Sequence, residues 1–235
     1  MKFLSRCLHD LANLFFPHLC VGCGTVVSVP SEYLCIHCRI NWPVTGFADR
    51  ENNPVSQIFR ERSAVRHAMA YCYFTKRSGV QELLHLLKYR DDKTVAVYIG
   101  NMMTEALINS SLYTDIDMII PVPMHPKKEK IRGYNQTKLI ADSIAKNWNG
   151  LEVCMAITKT SQTESQTKKS RWERWRNMQD RFVLQHPEKV ANRNILLLDD
   201  VITTGATLEA CTQVLLQGKP ASVNIAGFAW AATRI

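Results

Sequence analysis

Residues 195–207 read Ile-Leu-Leu-Leu-Asp-Asp-Val-Ile-Thr-Thr-Gly-Ala-Thr, and the order of these residue types decides the fold class. Four bulky apolar residues without alternation fit a strand buried on both faces, as in a parallel sheet. Asp199 and Asp200 fall where that strand should emerge, a hydroxyl-rich turn follows, and 208–217 has the pattern of a helix. In open α/β sheets, ligands collect at the carboxyl ends of strands, where a helix N-terminus offers free N–H groups to an anion. Thr203, Thr204 and Thr207 add hydroxyl donors, and Gly205 lets the backbone come close. A phosphate seat beside paired carboxylates points to a sugar phosphate, with the carboxylates accepting from ribose hydroxyls or holding a hydrated Mg²⁺.

This stretch resembles the phosphoribosyl pyrophosphate (PRPP) motif of type I phosphoribosyltransferases. The resemblance implies that Asp199 and Asp200 bind the ribose 2′- and 3′-hydroxyls, with Mg²⁺ accompanying PRPP. It also implies that Thr203, Thr204, Gly205, Ala206 and Thr207 wrap the 5-phosphate. Strand, acid pair and Thr-Thr-Gly-x-Thr must coincide in order, which an ordinary capped strand end has no reason to do.

The 235-residue chain has room for one α/β domain and a small appendage. Its net charge of +8 and pI near 9.1 suit acidic partners, phosphorylated metabolites or nucleic acid, without choosing between them. No apolar run nears the roughly 18 residues that span a bilayer. Arg6, His9 and Asp10 interrupt any signal-peptide core, so the chain reads as cytoplasmic. Leu4, Leu8, Leu11 and Phe15 fall at helical spacing, which suits a short docking helix.

Cysteine usage isolates the appendage. Cys20-Val-Gly-Cys23 and Cys35-Ile-His-Cys38 form two Cys-x-x-Cys knuckles, a spacing that brings four thiolates to one tetrahedral ion. Gly22 and Gly24 supply the permissive turn. Residues 1–42 hold too little apolar material to fold unaided, so structural zinc would supply much of their stability. A thioredoxin-like redox pair is the competitor, but no βαβ pattern stands beside it. His18 and His37 read as surface groups, and Cys7, Cys72, Cys154 and Cys211 as core or near-core thiols.

Residues 43–64 are polar, contain Pro43 and Pro54, and read as a linker; 65–235 then read as the main domain. Alternating Met69, Tyr71 and Tyr73 suggest a half-buried strand over 67–74. Helical spacing follows over 80–89 and 95–108, a short apolar strand over 117–122, and a helix over 135–148. A strand is expected over 151–157, and a last one over 222–230 after Gly218 as helix C-cap. Alternation at these lengths implies a mostly parallel sheet with helices on both faces.

Two further loops concentrate charge. After Pro121-Val-Pro123 come Lys127, Lys128, Lys130 and Arg132, just before a helix N-terminus; Lys127, Lys128 and Arg132 suit the developing charge of a pyrophosphate leaving group. A solvated basic surface is the alternative. The stretch 166–182 interleaves Arg171, Arg174 and Arg176 with Trp172 and Trp175. It reads as a mobile lid that excludes water, as a stacking surface for single-stranded nucleic acid, or as simple helix packing.

The zinc knuckles, Leu87-Lys-Tyr-Arg90, Pro121-Val-Pro123 with Arg132-Gly-Tyr-Asn-Gln136, Gln166-Thr with Arg174-Trp-Arg-Asn177, and the PRPP motif together resemble the ComF family. The resemblance covers nearly the whole chain. It implies a type I phosphoribosyltransferase-like domain behind a zinc ribbon, and PRPP binding within a DNA-uptake process of natural competence. It also implies competence-helicase or single-stranded DNA partners, with transfer of the phosphoribosyl group to an acceptor that no motif names. A non-catalytic DNA- or partner-binding protein retaining the fold is the rival. Thr203 stands where purine-salvage members carry Asp, so no base-deprotonating role is implied there.

Overall fold

The computed structural model of the protein describes residues 17–27, 29, 32–61, 64–89, 93–160 and 182–232. The docking helix expected through Leu4, Leu8, Leu11 and Phe15, Cys7, Arg90, and the basic stretch with Arg171, Trp172, Arg174, Trp175 and Arg176 lie outside the described residues. Five parallel strands form the sheet: β1 (Ala68–Tyr73), β2 (Met118–Pro121), β3 (Glu152–Val153), β6 (Asn194–Ile202) and β7 (Ser222–Trp230), in the order β1-β7-β6-β2-β3. A separate antiparallel hairpin joins β4 (Ile157–Lys159) to β5 (Phe182–Leu184). The apolar run 195–198 is the centre of this sheet, and all four side chains are fully buried. Strand β6 continues through both aspartates to Ile202, opposite Trp230.

Helices cover both faces. On one, α4 (Lys93–Ile108) packs against α6 (Gln136–Asn147), and Gly100 lets them touch, since a Cβ there would lie 2.5 Å from the Ser143 side chain. Helix α3 (Gly79–Tyr89) buries Val80, Leu83, Leu84 and Leu87 beside α4. On the other face, α8 (Ala206–Leu216) follows β6 and packs against the β4–β5 hairpin. Short helices α1 (Ile36–Ile40), α2 (Pro54–Phe59), α5 (Pro126–Arg132) and α7 (Pro187–Val190), with a 3-10 turn at Phe47–Asp49, complete the described set. Among the described residues no helix is long and apolar enough to cross a membrane.

Several local expectations change. In β1 the deeply buried residues are Ala68, Met69, Ala70 and Cys72, while Tyr73 is exposed. With helices on both faces, alternation is the wrong template. The single strand expected over 151–157 is split: β3 pairs with β2, then the chain leaves the sheet and re-forms as β4 in the hairpin. Gly218 is no left-handed C-cap; Lys219 takes the positive φ of 54°. Gly218 is needed for close approach instead, because a Cβ would meet Val190 and Leu184 at about 3 Å.

The polar stretch read as a linker is built into the core. Thr45 and Tyr73 N–H groups donate to the Tyr71 and Pro43 carbonyls, running the chain along the open edge of β1. Asn53 caps α2 with a reciprocal Ser56 contact, Pro54 starts the helix, and Val55 and Phe59 are buried.

Candidate functional site

Strand β6 delivers its two aspartates to opposite faces, because adjacent strand residues alternate. Asp200 points toward α3 and α6. Its Oδ2 accepts from Gln136 Nε2 at 2.9 Å and faces Lys88 Nζ at 3.0 Å. Gln136 in turn accepts from the Arg132 guanidinium, which lies over the Tyr89 ring at 5.7 Å. Local capping explains the aim. Gly133, at φ 82°, ends α5, and Asn135 starts α6 by accepting from Thr137 N–H while donating to the Val122 carbonyl at 3.1 Å. The Tyr134 hydroxyl donates to the Leu87 carbonyl at 2.9 Å, tying this turn to the end of α3.

Asp199 faces the other way. It lines a small cavity of about 40 Å³ with Thr203, Thr204, Gly205, Ala206 and Thr207 at the N-terminus of α8. Its Oδ1 accepts the Asp200 N–H at 2.8 Å. Burial, and then the charge of Asp200, raise the Asp199 carboxyl well above the usual carboxylate range. Gly205 has φ 75°, and a Cβ there would lie 2.7 Å from Ile58 and 2.9 Å from Phe59. Helix α2 therefore supports the back of the loop. The acid pair and the loop residues thus come together at one strand end, Asp199 in the cavity of the loop and Asp200 held by Lys88 and Gln136 on the other side of the strand.

The other cations divide. Arg132 joins the site through Gln136, whereas Lys127 and Lys128 are exposed on α5 and, among the described residues, make no ion pair with Asp199 or Asp200. Sequence reasoning gave no role to Lys88 or Gln136. The available signal was the Gly-x-Asn stop-and-start at 133–135, which fixes where the next side chain points.

In the N-terminal segment, Cys20, Cys23, Cys35 and Cys38 converge, all four sulfurs lying within 4.8 Å of one another. The Cys23 and Cys35 sulfurs are 3.6 Å apart, near the ~3.8 Å edge of a tetrahedron with metal–sulfur bonds of ~2.3 Å. Gly22 and Cys35 N–H groups donate to Cys20 Sγ, and Cys38 N–H donates to Cys35 Sγ, the pattern of two knuckles. Gly24 takes the left-handed turn at φ 74°, while Gly22 is small because Cys38 Sγ would stand 2.9 Å from a Cβ. Thr25, through its hydroxyl and amide, holds the Cys23 thiol down to about 6; burial and then the neighbouring sulfurs push Cys38 up. Four sulfurs so close form a cluster able to bind a metal such as zinc. His18 and His37 are exposed. Cys72, Cys154 and Cys211 are buried free thiols pushed up by burial, as core cysteines are.

A phosphoribosyl transferase domain profile matches residues 139–233, which carry β6, its loop and β7. With the parallel sheet, this defines a phosphoribosyltransferase-like fold. The chain is 26% identical over 234 residues to competence protein F of Haemophilus influenzae, covering 97% of this chain and 99% of that one. It is 26% identical over 209 residues to competence protein ComFC of Bacillus subtilis, covering 88% and 75%. It is 30% identical over 146 residues to the DNA utilization protein YhgH of Escherichia coli O157:H7, spanning 61% of this chain and 63% of that relative's length. A hypoxanthine phosphoribosyltransferase from Staphylococcus aureus aligns over 63% of this chain and 62% of its own, at TM-score 0.31 and 13% identity. The likeness to the two competence proteins and the phosphoribosyl transferase profile support a ComF-family, phosphoribosyltransferase-like protein with an N-terminal cysteine cluster.

Proposed function

We propose that the protein binds PRPP or a closely related ribose phosphate at the end of β6 and serves a DNA-uptake process, with zinc held by its four cysteines. The observation that carries this reading is the cavity in which Asp199 and the 203–207 loop face one another at the N-terminus of α8. The 5-phosphate takes the loop amides and threonine hydroxyls, and the ribose diol takes the carboxylates. Mg²⁺ fits as a companion of the ligand rather than as a resident ion. The Asp200 carboxylate is already engaged by Lys88 and Gln136 and Asp199 accepts the Asp200 amide, so diphosphate oxygens and water would supply most of its shell. The names of the competence relatives support the link to DNA uptake.

Replacing Asp199 and Asp200 together by Asn should weaken PRPP binding by about 2–4 kcal/mol through loss of charge-assisted acceptance. Calorimetric titration with and without Mg²⁺ reads this, and unchanged affinity in a folded double variant sinks the reading. Pyrophosphate release across candidate acceptors then separates turnover from binding alone. The relatives' names also favour a second reading, single-stranded DNA held by the basic 166–181 stretch. That reading requires Trp172- and Trp175-dependent affinity that falls with salt and is indifferent to PRPP.

A further inference from the structure

The polar groups at the end of β6 are strung in an order that matches the order of groups on a ribose phosphate. The 203–207 loop comes first, then Asp199 at its rim, then Asp200 across the strand, and beyond it Lys88 and the Gln136–Arg132 pair. On the ligand the 5-phosphate comes first, then the 3′,2′-diol, then the substituent at C1. With the phosphate in the loop and the diol on the carboxylates, a C1 anion falls beside the cation that sits on Asp200. That cation is Lys88.

Resting on the ligand reading above, we propose that Lys88 receives the anionic substituent at C1 of the bound ribose phosphate, exchanging the Asp200 carboxylate for it. The exchange leaves each group with a polar partner. A ribose hydroxyl takes the place of Lys88 on Asp200, and the ligand's diphosphate takes the place of Asp200 on Lys88. Asp200 is not stranded meanwhile, because Gln136 still donates to it at 2.9 Å. The Lys88 side chain remains 28% exposed, so its ammonium is within reach of a ligand, while Leu84 and Leu87 anchor the helix turn that carries it. Its place in the last turn of α3 also puts a cation where the helix carbonyls favour one. Lys127 and Lys128, on the exposed short helix, have no comparable hold on the acid pair.

The test compares PRPP with ribose 5-phosphate, which lacks the C1 anion, at fixed Mg²⁺. Lys88→Met should lower PRPP affinity about tenfold or more, the loss of a hydrogen bond between charged groups, and leave ribose 5-phosphate within about twofold. Lys88→Arg should retain most of the preference for PRPP. Lys88→Gln, which keeps a donor for Asp200 but not the charge, should show the same selective loss and covers the case in which the Met variant does not fold. Equal losses for both ligands would make Lys88 only a support for Asp200 and overturn the proposal, as would unchanged PRPP affinity. A wild-type protein that binds neither ligand would remove the ligand reading itself, a different result.

Discussion

The cysteine module and the parallel sheet stand at opposite ends of a scale of self-sufficiency. Among the described residues, the buried apolar ones around the four sulfurs are few, Cys20, Val27, Leu34 and Trp42, whereas Leu196, Leu197, Leu198, Ile225 and Phe228 in the sheet are fully buried. One region is able to take a metal between its four sulfurs; the other has a surplus of core and carries a half-buried carboxylate, Asp199, whose raised pKa opposes the stability of the fold. The stretch between them belongs by composition to neither, and by packing to the sheet.

Removing the metal should have the largest effect. Zinc should be present at one equivalent per chain, and chelation or Cys20→Ala should unfold the module while the sheet keeps a cooperative melt. Apparent zinc affinities of about 10–16 kcal/mol in small zinc modules set the scale. Metal analysis and limited proteolysis check this; a metal-free preparation with an intact module would erase the contrast. Next is Phe59→Ala, in the stretch that looks like a tether. As a core residue it should cost about 3–5 kcal/mol in chemical denaturation, whereas a tether position would cost under about 0.5 kcal/mol.

The smallest effect is a gain. Burial holds Asp199 protonated in the fold at pH values where the unfolded chain has already released that proton. Stability should therefore fall as pH rises above the ordinary carboxylate value of about 4, and level off once Asp199 itself ionises. Asp199→Asn keeps the oxygen that accepts the Asp200 amide and removes the slope. It should stabilise the ligand-free protein by about 1–2 kcal/mol near pH 8, with little effect near pH 4. Parallel pH–stability curves for the two proteins would contradict this.

What was legible in the chain is what is local. The run 195–198, the 222–230 strand and the two Cys-x-x-Cys pairs each declare themselves within a few residues, through an apolar run or a ligand spacing. Packing of 43–59 was hidden because its core residues, Phe47, Val55 and Phe59, are few and widely spaced, with neither helical nor strand periodicity. Only the Asn53-Pro54 start followed by Ser56 marks a helix there. The acid pair was visible, but its division was not, since Lys88 and Gln136 reach Asp200 across 112 and 64 positions of sequence. The 151–157 segment misled because its apolar residues serve two sheets in succession.

The clasp of Ile58 and Phe59 on Gly205 decides where this chain tolerates a cut. A fragment beginning at residue 65 would keep every residue of the loop and both aspartates, yet expose the glycine's back to water and leave a vacancy the size of a phenyl ring. The shortest piece worth expressing for ligand studies therefore starts before Thr45, whose N–H pairs with the Tyr71 carbonyl at the edge of β1. Exchange of front ends between relatives would have to carry α2 along with the half of the molecule it props up.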